Sequence, residues 1–154
     1  MRQQLVFLFI LSTTIWMACN NPQNGNAKTE VSATADSLKK DLDDAHNVGM
    51  AKMGKLTRAE QEARRLLDSI QRLPAKARQA AAPLQVRLDS LQKELQYAEF
   101  AMEKWMKEFK WDSTFKDIEQ KVDYYQKEKL KVSVVKENIL KGIEKADSVL
   151  KANF

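Results

Sequence analysis

The side chains best suited to chemistry gather in two short stretches, His46-Asn47-Val48-Gly49-Met50-Ala51-Lys52-Met53 and Ala101-Met102-Glu103-Lys104-Trp105-Met106. His46 is the one histidine of the 154-residue chain, and four of its six methionines stand in these stretches. On a helix, His46, Met50 and Met53 at i, i+4 and i+7 share a face, and Met102 and Met106 are one turn apart. An imidazole among thioethers is a soft donor set that suits Cu(I). The candidate metal ligands are therefore His46, Met50, Met102 and Met106, with the Trp105 ring able to cover a bound cation. A plainer reading stands beside it: Met is an adaptable core filler, and a Met stripe at helical spacing packs.

The second reactive position is Cys19, the one cysteine. The chain opens Met1-Arg2-Gln3-Gln4 and then runs apolar from Leu5. A positive charge followed by a short apolar stretch is the layout of a secretory signal peptide, too short for a bilayer-spanning helix of ~20 residues. Cys19 directly follows the small residue Ala18, which resembles the lipobox of bacterial lipoproteins, although Trp16 and Met17 depart from the usual pattern. That resemblance implies removal of residues 1–18 and lipidation of Cys19. Removal takes away Arg2 and no acid, so 26 Lys+Arg and 21 Asp+Glu become 25 − 21 = +4. Residues 19–30 read as the lipidated Cys and a flexible, polar tether. No aspartate follows the Cys and no acidic run follows it either, so the expected address is the outer membrane with the domain facing the periplasm.

Composition narrows the rest. One Cys excludes a disulfide framework, and one His excludes a three-His zinc site. The four glycines are scattered, so no phosphate-cradling loop exists, and no Ser-His-acid or Cys-His set can be assembled. The neighbours Asp43 and Asp44 read as solvated helix surface. The expectation is no enzyme and no resident cofactor, with copper as the alternative. Lys and Glu alternate, as in Lys127-Glu128-Lys129, and mixed signs do not make a nucleic-acid footprint.

These residues must be positioned by helices. Leu84, Leu88, Leu91, Leu95, Ala98, Met102, Trp105 and Phe109 follow an unbroken four-and-three rhythm that places all eight on one stripe. Leu38, Leu42, Ala45 and Gly49 make a thinner stripe, which Ala59, Ala63, Leu66, Ile70 and Leu73 resume. Phe115, Ile118, Val122 and Tyr125 lead, after a polar gap, to Val132, Val135, Ile139, Ala146 and Leu150. Thr114-x-x-Asp117 is a capping-box pattern, and Gly54 with Thr57-x-x-Glu60 is a candidate bend. Pro74 and Pro83 compete for the earlier turn; Pro74 is preferred, leaving Pro83 as a kink. The predicted helices then span 33–72, 75–110 and 113–151, each ~55–60 Å long. The fold expected for residues 31–154 is an all-α, elongated, antiparallel three-helix bundle with coiled-coil-like packing. The alternative is an extended coiled coil completed by dimerisation. With Pro74 as the turn, His46 and Met102 fall at one height to within ~2 Å, and Met50 is offset from Met102 by ~7.5 Å.

The His46–Met53 and Ala101–Met106 stretches, with Tyr125, Glu128-Lys129 and the Val132/Val135/Ile139/Ile143 run, resemble small Bacteroidota lipoproteins labelled "viral A-type inclusion protein". Members commonly read His-Asp-x-Val-Met-x-x-Met and Met-x-Asp-Trp-Met; here Asn47 and Lys104 replace the aspartates, and Val48 and Gly49 shift the first motif. The resemblance implies an envelope address and a helical fold, and it implies no activity. The leading functional expectation is a membrane-anchored scaffold with protein partners, and the alternative is a Cu(I)-binding protein.

Overall fold

The computed structural model describes residues 23–110 and 114–151, so the segment expected to be a signal peptide, Cys19 and residues 111–113 lie outside the described residues. Among the described residues the chain forms four helices: α1 Gln23–Gln71, α2 Ala75–Ala80, α3 Ala82–Glu108 and α4 Ile118–Lys151. The three-helix expectation is thereby corrected, and Pro83 is the reason. A proline amide has no hydrogen to give the carbonyl four residues back, and its ring crowds that carbonyl. The helix that begins after Pro74 therefore stops at Ala81, and Pro83 restarts it in the first turn of α3. Pro74 does form the first turn, as expected, preceding α2 with extended backbone. The turn is closed by Leu73 N–H donating to Ile70 O at 3.1 Å and by Arg78 reaching Gln71 O.

Other boundaries also differ. α1 begins at Gln23, ten residues before the expected start, and takes in most of the segment read as a tether. It runs unbroken through Gly54, so a single glycine costing about 1 kcal/mol does not stop a helix held by packing on both sides. At the start of α4 the cap is Asp117 rather than Thr114: Gln120 N–H donates to Asp117 Oδ1 at 2.8 Å, and Gln120 Oε1 accepts from Lys116 N–H. The capping pattern is present, three residues later than the sequence suggested.

α1, α3 and α4 pack on one another along their length. Buried residues recur every seventh position: Ala35, Leu42, Gly49, Leu56, Ala63 and Ile70 on α1; Leu88, Leu95 and Met102 on α3; Tyr125, Val132, Ile139 and Ala146 on α4. A strict seven-residue repeat imposes left-handed supercoiling. Leu91, Ala98 and Trp105 fill the alternate positions on α3. α1 and α4 run parallel, tied by Lys129–Asp41 at 2.6 Å and Lys55–Asp147 at 2.7 Å. α3 runs antiparallel to both, with Gln96 donating to Glu60 at 3.0 Å and Lys145 reaching Glu94. The polar gap expected between Tyr125 and Val132 is closed by Glu128, which is buried on the stripe. No described helix is long and apolar enough to cross a membrane.

Candidate functional site

The seam between α1 and α3 holds the residues that the sequence singled out. His46 of α1 meets Trp105 of α3 with ring centroids 5.4 Å apart and a tilt of 38°. One turn on, Gly49 lets Met102 approach closely: a Cβ at Gly49 would lie 2.5 Å from Met102 Cε and 3.4 Å from Ile139 Cδ1. The helices are thus in register as His46 with Trp105 and Gly49 with Met102. The expected register put Met102 level with His46. The difference is three residues, ~4.5 Å of rise, and it arises where the break at Ala81 replaces a continuous helix.

The expected cluster therefore separates by environment. Met102 is fully buried in the core, behind Gly49. Met106, 38% exposed, walls a cleft of about 160 Å³ together with Leu42, Asp43, His46, Trp105 and Phe109. Met50, one turn beyond His46, is 39% exposed and is not part of that wall. Among the described residues, no three His, Cys, Asp or Glu side chains come together as a metal-binding group. His46 Nε2 is buried and has no hydrogen-bond partner. Such an atom carries a desolvation cost of about 1–3 kcal/mol. Asp43 is held by Lys39, whose ammonium donates to its Oδ2 at 2.6 Å.

Trp105 is fixed from behind. Its indole Nε1–H donates to Glu128 Oε2 at 2.9 Å, a buried bond between α3 and α4. Lys131 donates to Glu128 Oε1 at 2.7 Å, and this hydrogen bond raises the Lys131 ammonium above its ordinary range against the opposing effect of desolvation. Phe109 lies against the indole with centroids 5.1 Å apart and continues to Tyr124, which also meets Phe115 at 5.1 Å. Burial raises the Tyr124 phenol above its ordinary value, while Lys110 N–H, donating to its oxygen at 2.7 Å, opposes the shift.

The sequence presents Glu128 only as one member of the mixed-sign Lys127-Glu128-Lys129 run, whereas the structure buries it; Asp43, expected on solvated helix surface, keeps its side chain 48% exposed. Spacing carried the missing signal for Glu128: it stands three residues after Tyr125 and four before Val132, a core position in the rhythm. Polarity masked that position, because a carboxylate is core-compatible only when a donor waits on another helix. The chain matches no family model, no curated protein and no solved structure.

Proposed function

We propose that the chain is a lipid-anchored envelope protein, attached through Cys19 to the outer membrane on its periplasmic side, whose helical domain serves as a non-enzymatic scaffold for protein partners. The signal-like segment ending at Cys19 supports the address. The observation that carries the scaffold reading is the set of exposed apolar side chains on α3 and α4. Val86, Tyr97 and Phe100 on α3 and Leu130 and Val134 on α4 are all more than half exposed, with Leu130 at 70%. Exposed aromatic and aliphatic residues repeated along two neighbouring helices are what a protein partner covers. Lys and Glu around them supply a polar rim.

Two substitutions test the parts separately. Cys19→Ser should release the protein from the membrane fraction and abolish lipid incorporation; unchanged fractionation removes the anchor. Phe100→Ser with Leu130→Ser should leave the melting temperature within a few degrees and abolish a discrete cross-linked adduct formed in intact cells. An adduct that survives the double change, or a wild-type protein that forms none, removes the scaffold reading.

A further inference from the structure

We infer that the cleft between α1 and α3 is a binding site for one soft monovalent cation, Cu(I) or Ag(I), held by His46 Nε2 and the Met106 thioether beneath the Trp105 ring. This goes beyond the scaffold reading and does not depend on it. Three features of the cleft converge. His46 lines the cleft, its Nε2 is buried and unpartnered, and an imidazole nitrogen with a free lone pair is a metal donor. Met106 lines the same cleft, so the second donor is a polarizable sulfur. The remaining wall is Leu42, Trp105, Phe109 and Asp43, with the Asp43 charge already compensated by Lys39.

That set selects by chemistry. A hard cation such as Ca²⁺ or Mg²⁺ takes six or more oxygens, and Zn²⁺ takes about four N, S or O ligands. One imidazole and one thioether suit a soft d¹⁰ monovalent ion that accepts few ligands. Met50 is exposed outside the cleft wall and is assigned no role in the site. Met102 is assigned no role, because Gly49 and the core hold its methyl end.

Trp105 and Glu128 give the site its rigidity. The indole is pinned at Nε1 by Glu128 and flanked on the ring by His46 and Phe109, so its orientation is set before any ion arrives. A fixed indole face attracts a cation through its quadrupole. Glu128 is thus a positioning residue, acting on the ion only through Trp105.

The test uses the full chain carrying Cys19→Ser, so that no thiolate competes, titrated with Ag(I) and, under reducing conditions, with Cu(I) against a chromogenic chelator. The expected result is one equivalent bound, quenching of the tryptophan emission that Trp105→Phe removes, and a displaced His46 Nε2 ¹⁵N resonance. His46→Gln and Met106→Leu should each weaken binding by at least about tenfold, the lower end of what losing a supporting partner costs a metal site. Met102→Leu should leave affinity unchanged. Glu128→Gln should weaken it less than His46→Gln while altering the Trp105 quench. An unmoved Nε2 resonance in the protein with its native His46 overturns the site whatever the variants do, and so does binding that Met102→Leu weakens and Met106→Leu does not.

Discussion

Two buried glutamates, one in each half of the bundle, look alike in sequence and differ in what they hold. Glu60, on α1, accepts from Arg64 at 2.7 Å and from Gln96 of α3 at 3.0 Å. Arg64 and Gln96 are both exposed, so water replaces Glu60 for either at little cost. Glu128, on α4, accepts from the buried Trp105 indole, whose N–H has no water to turn to. The surroundings differ in the same sense. The buried residues within about two turns of Glu60 on its own helix are aliphatic, Leu56, Ala63 and Leu67. Glu128 instead has its donor Trp105 and, one turn before it, the rings of Tyr124 and Tyr125. A carboxylate among aliphatic side chains ties two helices together. A carboxylate behind an indole also sets the plane of a ring that walls a cleft, the candidate site.

The largest effect expected is shared by both halves. Leu88→Ala, Leu91→Ala and Leu95→Ala should each cost ~2–5 kcal/mol in urea unfolding, since all three are fully buried. Lys93→Ala, exposed on the same helix, should stay within about 0.5 kcal/mol. If all four changes unfold alike, the heptad account of α3 is wrong. Next comes the contrast itself. Glu128→Ala leaves a buried indole donor unpaired, at about 1–3 kcal/mol, and should alter the near-ultraviolet circular dichroism of tryptophan. Glu60→Ala should cost less than half as much and leave that spectrum unchanged; equal costs would dissolve the distinction between the halves.

Smaller still is the cap that begins α4. Asp117→Ala should cost ~1 kcal/mol, and Asp117→Asn should restore most of it, because either side chain accepts from Gln120 N–H. The smallest effect is the response to acid. Hydrogen bonds from Lys145, Lys129 and Lys55 lower the pKa values of Glu94, Asp41 and Asp147 below their ordinary 4.5, 3.8 and 3.8. A carboxyl with a lower pKa folded than unfolded stabilises the fold above its unfolded pKa, and that contribution is lost as pH falls through the folded value. The melting temperature should therefore be level above about pH 5 and fall below the ordinary carboxylate range. Glu94→Gln, Asp41→Asn and Asp147→Asn together should flatten the fall slightly, since all three pairs are exposed and water screens them. A fall of undiminished steepness would place the acid response elsewhere.

The helical class and the buried face of α3 are legible in the amino-acid pattern alone. Leu88, Leu91, Leu95, Ala98, Met102 and Trp105, chosen by rhythm, are the six buried residues of that helix. Rhythm succeeds there because a helix buries a stripe of fixed period whatever it packs against. It also brought His46 and the Ala101–Met106 stretch to one seam, since a hairpin of long helices leaves few registers. Which methionine meets the imidazole cleft is set by how the helices pack. A three-residue difference at the Pro74–Pro83 connection moves every facing pair by nearly a turn, and the local pattern is the same on either side of that shift. Packing also decides which carboxylates are buried. Glu60 and Glu128 lie inside because donors on α3 answer them, and no window of α1 or α4 contains those donors. Periodicity is a property of one helix, whereas register and polar pairing belong to two, and so they appear only when the helices meet.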